Sequence, residues 1–407
     1  MRIDMVSEHA SPLAALGGAD AGGQNVHVAE LANGLARRGH QVVVHTRRDS
    51  ADLPDTVRVS PGVTVEHVPA GPPQAIPKDD LLPYMTEFGD HLAVRWRTQR
   101  PDVVHAHFWM SGVAARRGIA GLDVPMLQTF HALGRVKRRH QGHKDTSPPQ
   151  RERIEAELAR NADFVVATCS DEVVELTEMG VAPEHTAVVP CGIDLTKFVP
   201  TGTVADRTER PRILSIGRLV ERKGVDTTIA ALAGVADAEL VIAGGPERST
   251  WDADPEIARL RFVAEQAGVA ERVHFAGQLA HSDAPAMYRS ADVVVSAPWY
   301  EPFGTVPLEA MACGVAPVVT AVGGHLDTVI DGETGLLVPP RDSHTLASRL
   351  RTLLARPRWR CDLGRAGVGH VRARYGWDRL VRETESVYRR ALEHSGASVA
   401  ASTGGRP

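Results

Sequence analysis

The sequence predicts an α/β protein of two doubly wound domains, each a parallel sheet with helices on both faces. Three observations carry this. Short β-branched runs alternate with helical patterns along nearly the whole chain, which is how covered parallel sheets read. The alternation restarts after a polar, proline-containing stretch at 199–211. At 407 residues the chain is also too long for one ordinary core.

Taken in order, RIDMVS is the first strand. It feeds a glycine-rich turn, LGGADAGGQ, and then a helix, NVHVAELANGLARRGH, with apolar positions at helical spacing. QVVVHT, DVVHAHF, PMLQTF, DFVVATC and TAVVPCG follow, each a short β-branched run with a polar or glycine end. Together they make a first domain over 1–199. RILSIGR, AELVIAGG, RVHFAGQ, DVVVSAP, APVVTA and GLLVPP repeat the scheme in a second domain over 211–375. Near the end, Trp377, Leu380, Val381, Thr384, Val387 and Tyr388 fall on one helical stripe, so a helix over 376–394 needs a surface to dock on. The tail GASVAASTGGRP reads as disordered.

A net charge of −4 lacks the basic excess expected of a nucleic-acid binder. No run of 18 or more apolar residues is present, so no membrane-spanning segment is expected. MRIDMVSEHASP reads as a strand rather than a secretory signal. Cys169, Cys191, Cys313 and Cys361 show no CxxC spacing and are expected as buried thiols in a reducing cytoplasm.

In open α/β sheets ligands bind at the carboxyl ends of strands, and the residues with chemistry fall there. Gly17, Gly18, Gly22 and Gly23 would let backbone approach a ligand closely, with a helix N-terminus favouring an anion. Arg218 and Lys223, in SIGRLVERKG, set two cations beside a glycine turn, which suits a diphosphate. His131, closing QTFH, suits donation to a sugar hydroxyl or work on a proton, and a structural role equally. His105 and His107 are spaced like a metal pair but are expected on opposite faces of their strand, so a metal is set aside. Asp252 and Asp254 form a DxD in a proline-containing surface stretch away from any strand end, and read as a chance match.

The stretch WYEPFGTVPLEAMACGVAPVV brackets a short apolar helix between Pro307 and Pro317, with Glu301 before it and Glu309 inside it. At a rise of 1.5 Å per residue the two carboxylates stand about 12 Å apart. Glycosidase pairs sit at roughly 5–9.5 Å, so hydrolysis of that kind is disfavoured. About 12 Å matches the hexose and ribose ends of one sugar nucleotide. The backbone N–H groups of Phe303, Gly304, Thr305 and Val306 would lie between, facing its diphosphate.

These residues resemble the E-x7-E signature of retaining glycosyltransferases of family 4, which have the GT-B fold of two Rossmann-like domains. The likeness extends to IGRLVERKG, AGGPE, GGHLDTVIDGETGLLVPP and the first glycine-rich turn. It implies that Glu301 contacts the transferred sugar, Glu309 the ribose hydroxyls, Arg218 and Lys223 the diphosphate, and His131 the donor sugar. It implies further donor contacts at Gly22, Gly23, Gly217 and Gly245, and acceptor contacts at Gln24 and Asn25. It also implies a last helix that crosses back to the first domain, and no metal or other cofactor. GGADAGGQNVHVAEL is similar to two groups within the family: the sucrose-phosphate synthases, and the enzyme that transfers N-acetylglucosamine to inositol phosphate in mycothiol synthesis. Both use UDP-sugars and phosphorylated acceptors. Lys78, with Arg151 or Arg153, would hold the acceptor phosphate, while Phe108 and Ala132 replace a tyrosine and a threonine of the inositol-phosphate enzyme. The expected activity is hexosyl transfer with retention from a UDP-sugar to a small hydroxylated acceptor. A non-hydrolysing sugar-nucleotide epimerase of the same architecture, or a nucleotide-sugar-binding protein without turnover, are the alternatives.

Overall fold

Parallel strands with β-branched interiors organise the chain into two sheets, each the centre of its own compact unit. A computed structural model describes residues 1–14 and 22–403. One unit comprises Met1–Pro190 with Trp377–Pro407, the other Cys191–Gly376.

The first unit holds β1 (Arg2–Val6), β2 (Gln41–Arg47), β3 (Thr56–Ser60), β4 (Val63–Val68), β5 (Val103–His107), β6 (Met126–Thr129), β7 (Phe164–Ala167) and β8 (Thr186–Val188). Their order is β3-β4-β2-β1-β5-β6-β7-β8. Ile3 of β1 lies beside Val42 on one side and Val103 on the other, so the most apolar strands are central. Only β3 runs antiparallel, in a hairpin with β4 through Gly62 (φ 84°). Its sequence, TVRVS, alternates two valines with polar residues but is mostly exposed, an edge strand too short and too polar to stand out beside the apolar runs.

The last helix, Trp377–Thr403, belongs to this unit. Its Trp377, Leu380, Val381, Val387 and Tyr388 are buried with Val28, Leu31 and Leu35 of the helix Gly23–Arg37. Gly34 lets the two helices close: a Cβ there would fall 2.3 Å from Val381 Cγ2. The helix continues to Thr403, into the tail read as disordered, while residues 404–407 lie outside those described.

In the second unit β9 (Arg212–Ile216), β10 (Glu239–Ala243), β11 (Val273–Gly277), β12 (Val293–Ser296), β13 (Pro317–Thr320) and β14 (Leu336–Val338) form a wholly parallel sheet. The order is β11-β10-β9-β12-β13-β14. The stretch 199–211 is not a free linker. Ala205 N–H bonds to Ala286 O, Arg207 to Ser290 O and Asp292, and Thr208 to Glu239, so this segment is stitched to the second sheet. The first unit accordingly ends at Pro190 rather than at 199. Cys169, Cys191 and Cys313 are buried, but Cys361 is exposed, correcting the expectation of four buried thiols. Among the described residues no helix is long and apolar enough to cross a membrane.

Both sheets have a point where strand order reverses: between β1 and β5 in the first, between β9 and β12 in the second. Loops leaving the strands diverge there and open a crevice at the carboxyl end of each sheet.

Candidate functional site

At the second unit's reversal point, β9 runs into Gly217 and Arg218, then a single turn Glu221–Lys223. Gly224 follows in the left-handed conformation (φ 64°) and starts the helix Val225–Leu232. A Cβ at Gly224 would fall 1.9 Å from the Ala297 carbonyl oxygen, so only glycine fits. From β12, Trp299 N–H bonds to Arg222 O at 2.9 Å and ties the two diverging loops together.

This closure sets Lys223 Nζ 2.5 Å from Glu301 Oε2. Burial pushes the Glu301 carboxyl up, but Lys223, His325 and Arg222 outweigh it and hold it at about 2. Burial lowers the Lys223 ammonium from its usual range, and the attraction of Glu301 opposes that shift. At neutral pH Glu301 is therefore a carboxylate, and its charge favours the ammonium form of Lys223 against burial. His325, fully buried, donates Nδ1–H to Thr320 O at 2.9 Å and is lowered to about 4 by burial.

Gly304 (φ 73°) turns the chain from Glu301 into the helix Thr305–Ala312. No side chain caps that helix. The N–H groups of Thr305 and Val306 have no intrahelical acceptor, and Pro307 has none to offer. Arg218, Lys223 and Val306 line one small concavity with Ser215 and Ser296. Phe303 lies on the turn between Glu301 and the helix. Glu309 is inside the helix and accepts a 2.5 Å hydrogen bond from Tyr288 Oη. Its carboxyl is pushed up to about 7 by burial, with Tyr288 and Lys197 opposing. Gly217 and Gly245 have a packing role of their own. A Cβ at Gly244 would meet Gly217 O at 2.2 Å and one at Gly245 would meet Leu219 at 2.7 Å, so the turns after β9 and β10 lie against each other. Tyr288 and His325 carried no motif of their own. His325 stands in a stretch quoted for the family likeness, and Tyr288 in none.

Asp254 accepts from Glu256 N–H and Ile257 N–H and caps the helix Pro255–Gln266, while Asp252 is fully exposed beside Arg261. The DxD is a helix start. Among the described residues no group of three or more His, Cys, Asp and Glu side chains is arranged to hold a metal.

In the first unit the glycine-rich stretch follows β1 in sequence. Gly17 and Gly18 lie outside the described residues. Gly22 donates its N–H to Asn25 Oδ1 at 3.0 Å, and Gly23 is the exposed first residue of the helix. Asn25 is buried, and its Nδ2 also binds Ser11 O at 2.9 Å. Its two polar atoms therefore tie Gly22 and Ser11 to the start of the helix. Gln24 Nε2 lies 3.3 Å from both Ser7 Oγ and His107 O, bridging the ends of β1 and β5.

His105 and His107 correct a rule as well as a residue. Positions two apart on a strand share a face, and the two rings lie 4.1 Å apart. His107 Nδ1 is 3.0 Å from His131 Nε2, and His27 packs 5.2 Å from His131. Burial lowers all four, His27 to about 4, His105 to about 3, and His107 and His131 well below the usual value. His131 is thus a neutral, buried side chain held at a strained strand end (φ 62°).

Phe108, also at positive φ (82°), gathers the cations. Lys78 Nζ lies 5.6 Å and Arg151 Cζ 5.1 Å from its ring centroid. Arg151 is buried, with Nε 2.7 Å from Glu155 and Nη2 2.6 Å from Ala132 O. Arg153, two residues on, has a side chain 76% exposed beside Glu157. A two-residue step turns a helical side chain to the far face, so Arg151, not Arg153, joins Lys78.

Residues 203–368 match the family described as Glycosyl transferases group 1, and residues 21–197 the one described as Glycosyltransferase Family 4. The chain is 37% identical to the D-inositol 3-phosphate glycosyltransferase of Acidothermus cellulolyticus, over 96% of the chain and 90% of that protein. It is 35% identical to the protein of the same name from Kineococcus radiotolerans, over 97% of each. Among solved structures it is similar to the sucrose-phosphate synthase of Thermosynechococcus elongatus. That match has a TM-score of 0.88 and 32% identity over 97% of this chain and 99% of the other. HepE of Anabaena, solved with UDP-glucose, shares the fold at a TM-score of 0.72 and 19% identity, over 95% and 99% of the two chains.

Proposed function

The chain belongs to the family-4 glycosyltransferases, and from that premise we propose that it moves a glucose- or N-acetylglucosamine-type group, with retention, from a UDP-sugar to a small hydroxylated sugar or polyol. The observation that carries the proposal is the 2.5 Å contact of Lys223 with Glu301, set beside Arg218 and the uncapped start of the helix Thr305–Ala312. Cations and backbone N–H groups converge there where a diphosphate would gain charge, with a carboxylate next to them for sugar hydroxyls.

In the proposed reaction the bond from the anomeric carbon to the diphosphate oxygen breaks, and its electron pair leaves with the diphosphate. The acceptor hydroxyl oxygen bonds to that carbon from the same face, and its proton passes to the departing phosphate oxygen. Lys223, Arg218 and the N–H groups of Thr305 and Val306 stabilise the leaving charge, while Glu301 orients the sugar. Glu309 takes the ribose hydroxyls, and neutral His131 donates to the sugar. No metal is required, because fixed cations do that work. A phosphate on the acceptor is the form favoured by Lys78 and Arg151 at Phe108, and by relatives named for inositol 3-phosphate.

A panel of nucleotide sugars against phosphorylated and plain sugars and polyols, with the product anomer read by NMR, tests this. An α-linked product from an α-linked UDP-sugar, undiminished by EDTA, is expected. Interconversion of the nucleotide sugar without acceptor, binding without turnover, or activity lost to EDTA and restored by magnesium would each overturn the part concerned.

A further inference from the structure

Glu309 sits on a helix whose neighbours otherwise offer its carboxylate little. Among the described residues its side-chain hydrogen bond is the one from Tyr288 Oη to Oε2, at 2.5 Å. Tyr288 comes from a different element, the helix Ala284–Arg289 before β12, and is 0% exposed. Its ring meets Phe198 edge-on at 6.0 Å and belongs to the apolar cluster containing Leu308 and Ala310, which flank Glu309 in sequence. The ring therefore cannot swing, and its hydroxyl is a fixed donor. A glutamate is the opposite: its terminal torsion is broad, so an unheld carboxylate samples many orientations.

We infer that Tyr288 is a positioning residue of the donor site, fixing the Glu309 carboxylate through Oε2 so that Oε1 is turned toward the hydroxyls of the nucleotide's ribose. This rests on the reading of Glu309 as the ribose partner. Burial raises the phenol well above its usual range, so the proton stays on Tyr288 and it remains the donor. The same hydrogen bond favours the charged carboxylate against the burial that pushes Glu309 up to about 7, and it is the charged form that accepts from two hydroxyls at once.

The test is calorimetric binding of UDP and 2′-deoxy-UDP to the full chain, in wild type, Tyr288→Phe and Glu309→Gln, with donor KM and kcat alongside. Loss of a charge-assisted hydrogen bond that orients a ligand group is expected to cost about tenfold in UDP affinity. For Tyr288→Phe the loss should be much smaller for 2′-deoxy-UDP, so the preference between the two ligands narrows. Donor KM should rise with kcat nearly unchanged. A role in packing alone would weaken both ligands equally, and that outcome overturns the inference. If Glu309→Gln narrows the preference but Tyr288→Phe does not, the ribose reading stands and the positioning role falls. If Glu309→Gln leaves the preference intact, the ribose reading itself is wrong, and the inference falls with it. Tyr288→Met, of similar volume and also without a donor, serves should the phenylalanine variant not fold.

Discussion

In the proposed reaction Lys223 and Glu309 both contact the donor, yet they should fail differently when removed. The diphosphate gains charge only as the bond to the sugar breaks, so Lys223→Ala is expected to lower kcat by about 100-fold or more. The ribose does not change during transfer, so Glu309→Ala is expected to raise donor KM or Kd and spare kcat. Steady-state kinetics on both variants check this; a Lys223→Ala effect confined to KM would remove the leaving-group role. Lys78 offers the matching test for the acceptor. Arg151 is unsuited to it, since its loss would strand the buried Glu155 carboxylate, already raised by burial. Lys78 is only half-buried. Lys78→Ala should raise the KM of a phosphorylated acceptor about tenfold and leave an unphosphorylated one unchanged, the loss shrinking as salt rises. A silent variant would show that no anion is held there.

At the scale of elements, the last helix matters most, because the chain leaves the first unit at Pro190 and returns at Trp377. The apolar stripe legible in the sequence is buried beside the helix Gly23–Arg37, and Arg38 pairs with Glu385 across the same seam, while Arg389 pairs with Glu385 along the last helix itself. Leu380 is 1% exposed in that cluster. Leu380→Ala should cost about 2–5 kcal/mol of stability, by lost transfer energy and the cavity left behind. Denaturant titration followed by circular dichroism measures it. A cost below about 0.5 kcal/mol, the range of surface substitutions, would mean the helix is not docked in solution.

For the molecule as a whole, pH should act through the buried histidines. Burial depresses His27 to about 4 and His105 to about 3, so between there and the unfolded value of about 6.5 the unfolded chain binds more protons. Stability is then fully present above about 6.5 and falls as pH drops through that window, by about 2 kcal/mol per histidine at pH 5. Glu301 and Glu385, both held at about 2, add their losses only below the ordinary carboxylate range. Glu309, pushed up to about 7 from an ordinary 4.5, takes its proton in the folded chain over the same range and offsets the loss of about one histidine. His27, His105 and His325 together still leave a net fall in denaturant midpoint between pH 7 and 5. A midpoint constant over that range would contradict the burial of neutral imidazoles.

What the sequence determined by itself was local. Strand and helix periods, glycine turns, the cations of SIGRLVERKG and the spacing of Glu301 and Glu309 are set by neighbours within about ten residues, where backbone geometry leaves few options. The two parallel sheets followed, as did the apolar stripe on the last helix. Tertiary structure decided what depends on distant parts of the chain. Nothing near Glu309 in sequence announces that Tyr288 donates to it, and nothing near Phe108 announces that Lys78 and Arg151 converge on its ring. The choice of Arg151 over Arg153 needed the helix to be oriented by Glu155 and Ala132. The histidine cluster joins Gly23–Arg37, β5 and the end of β6, so its burial and neutral state arise only when three separate segments close over one another. Residue types and periods are written along the chain. The partners that tune a carboxylate or an imidazole are supplied by packing, because burial and hydrogen bonding act through space rather than along the backbone.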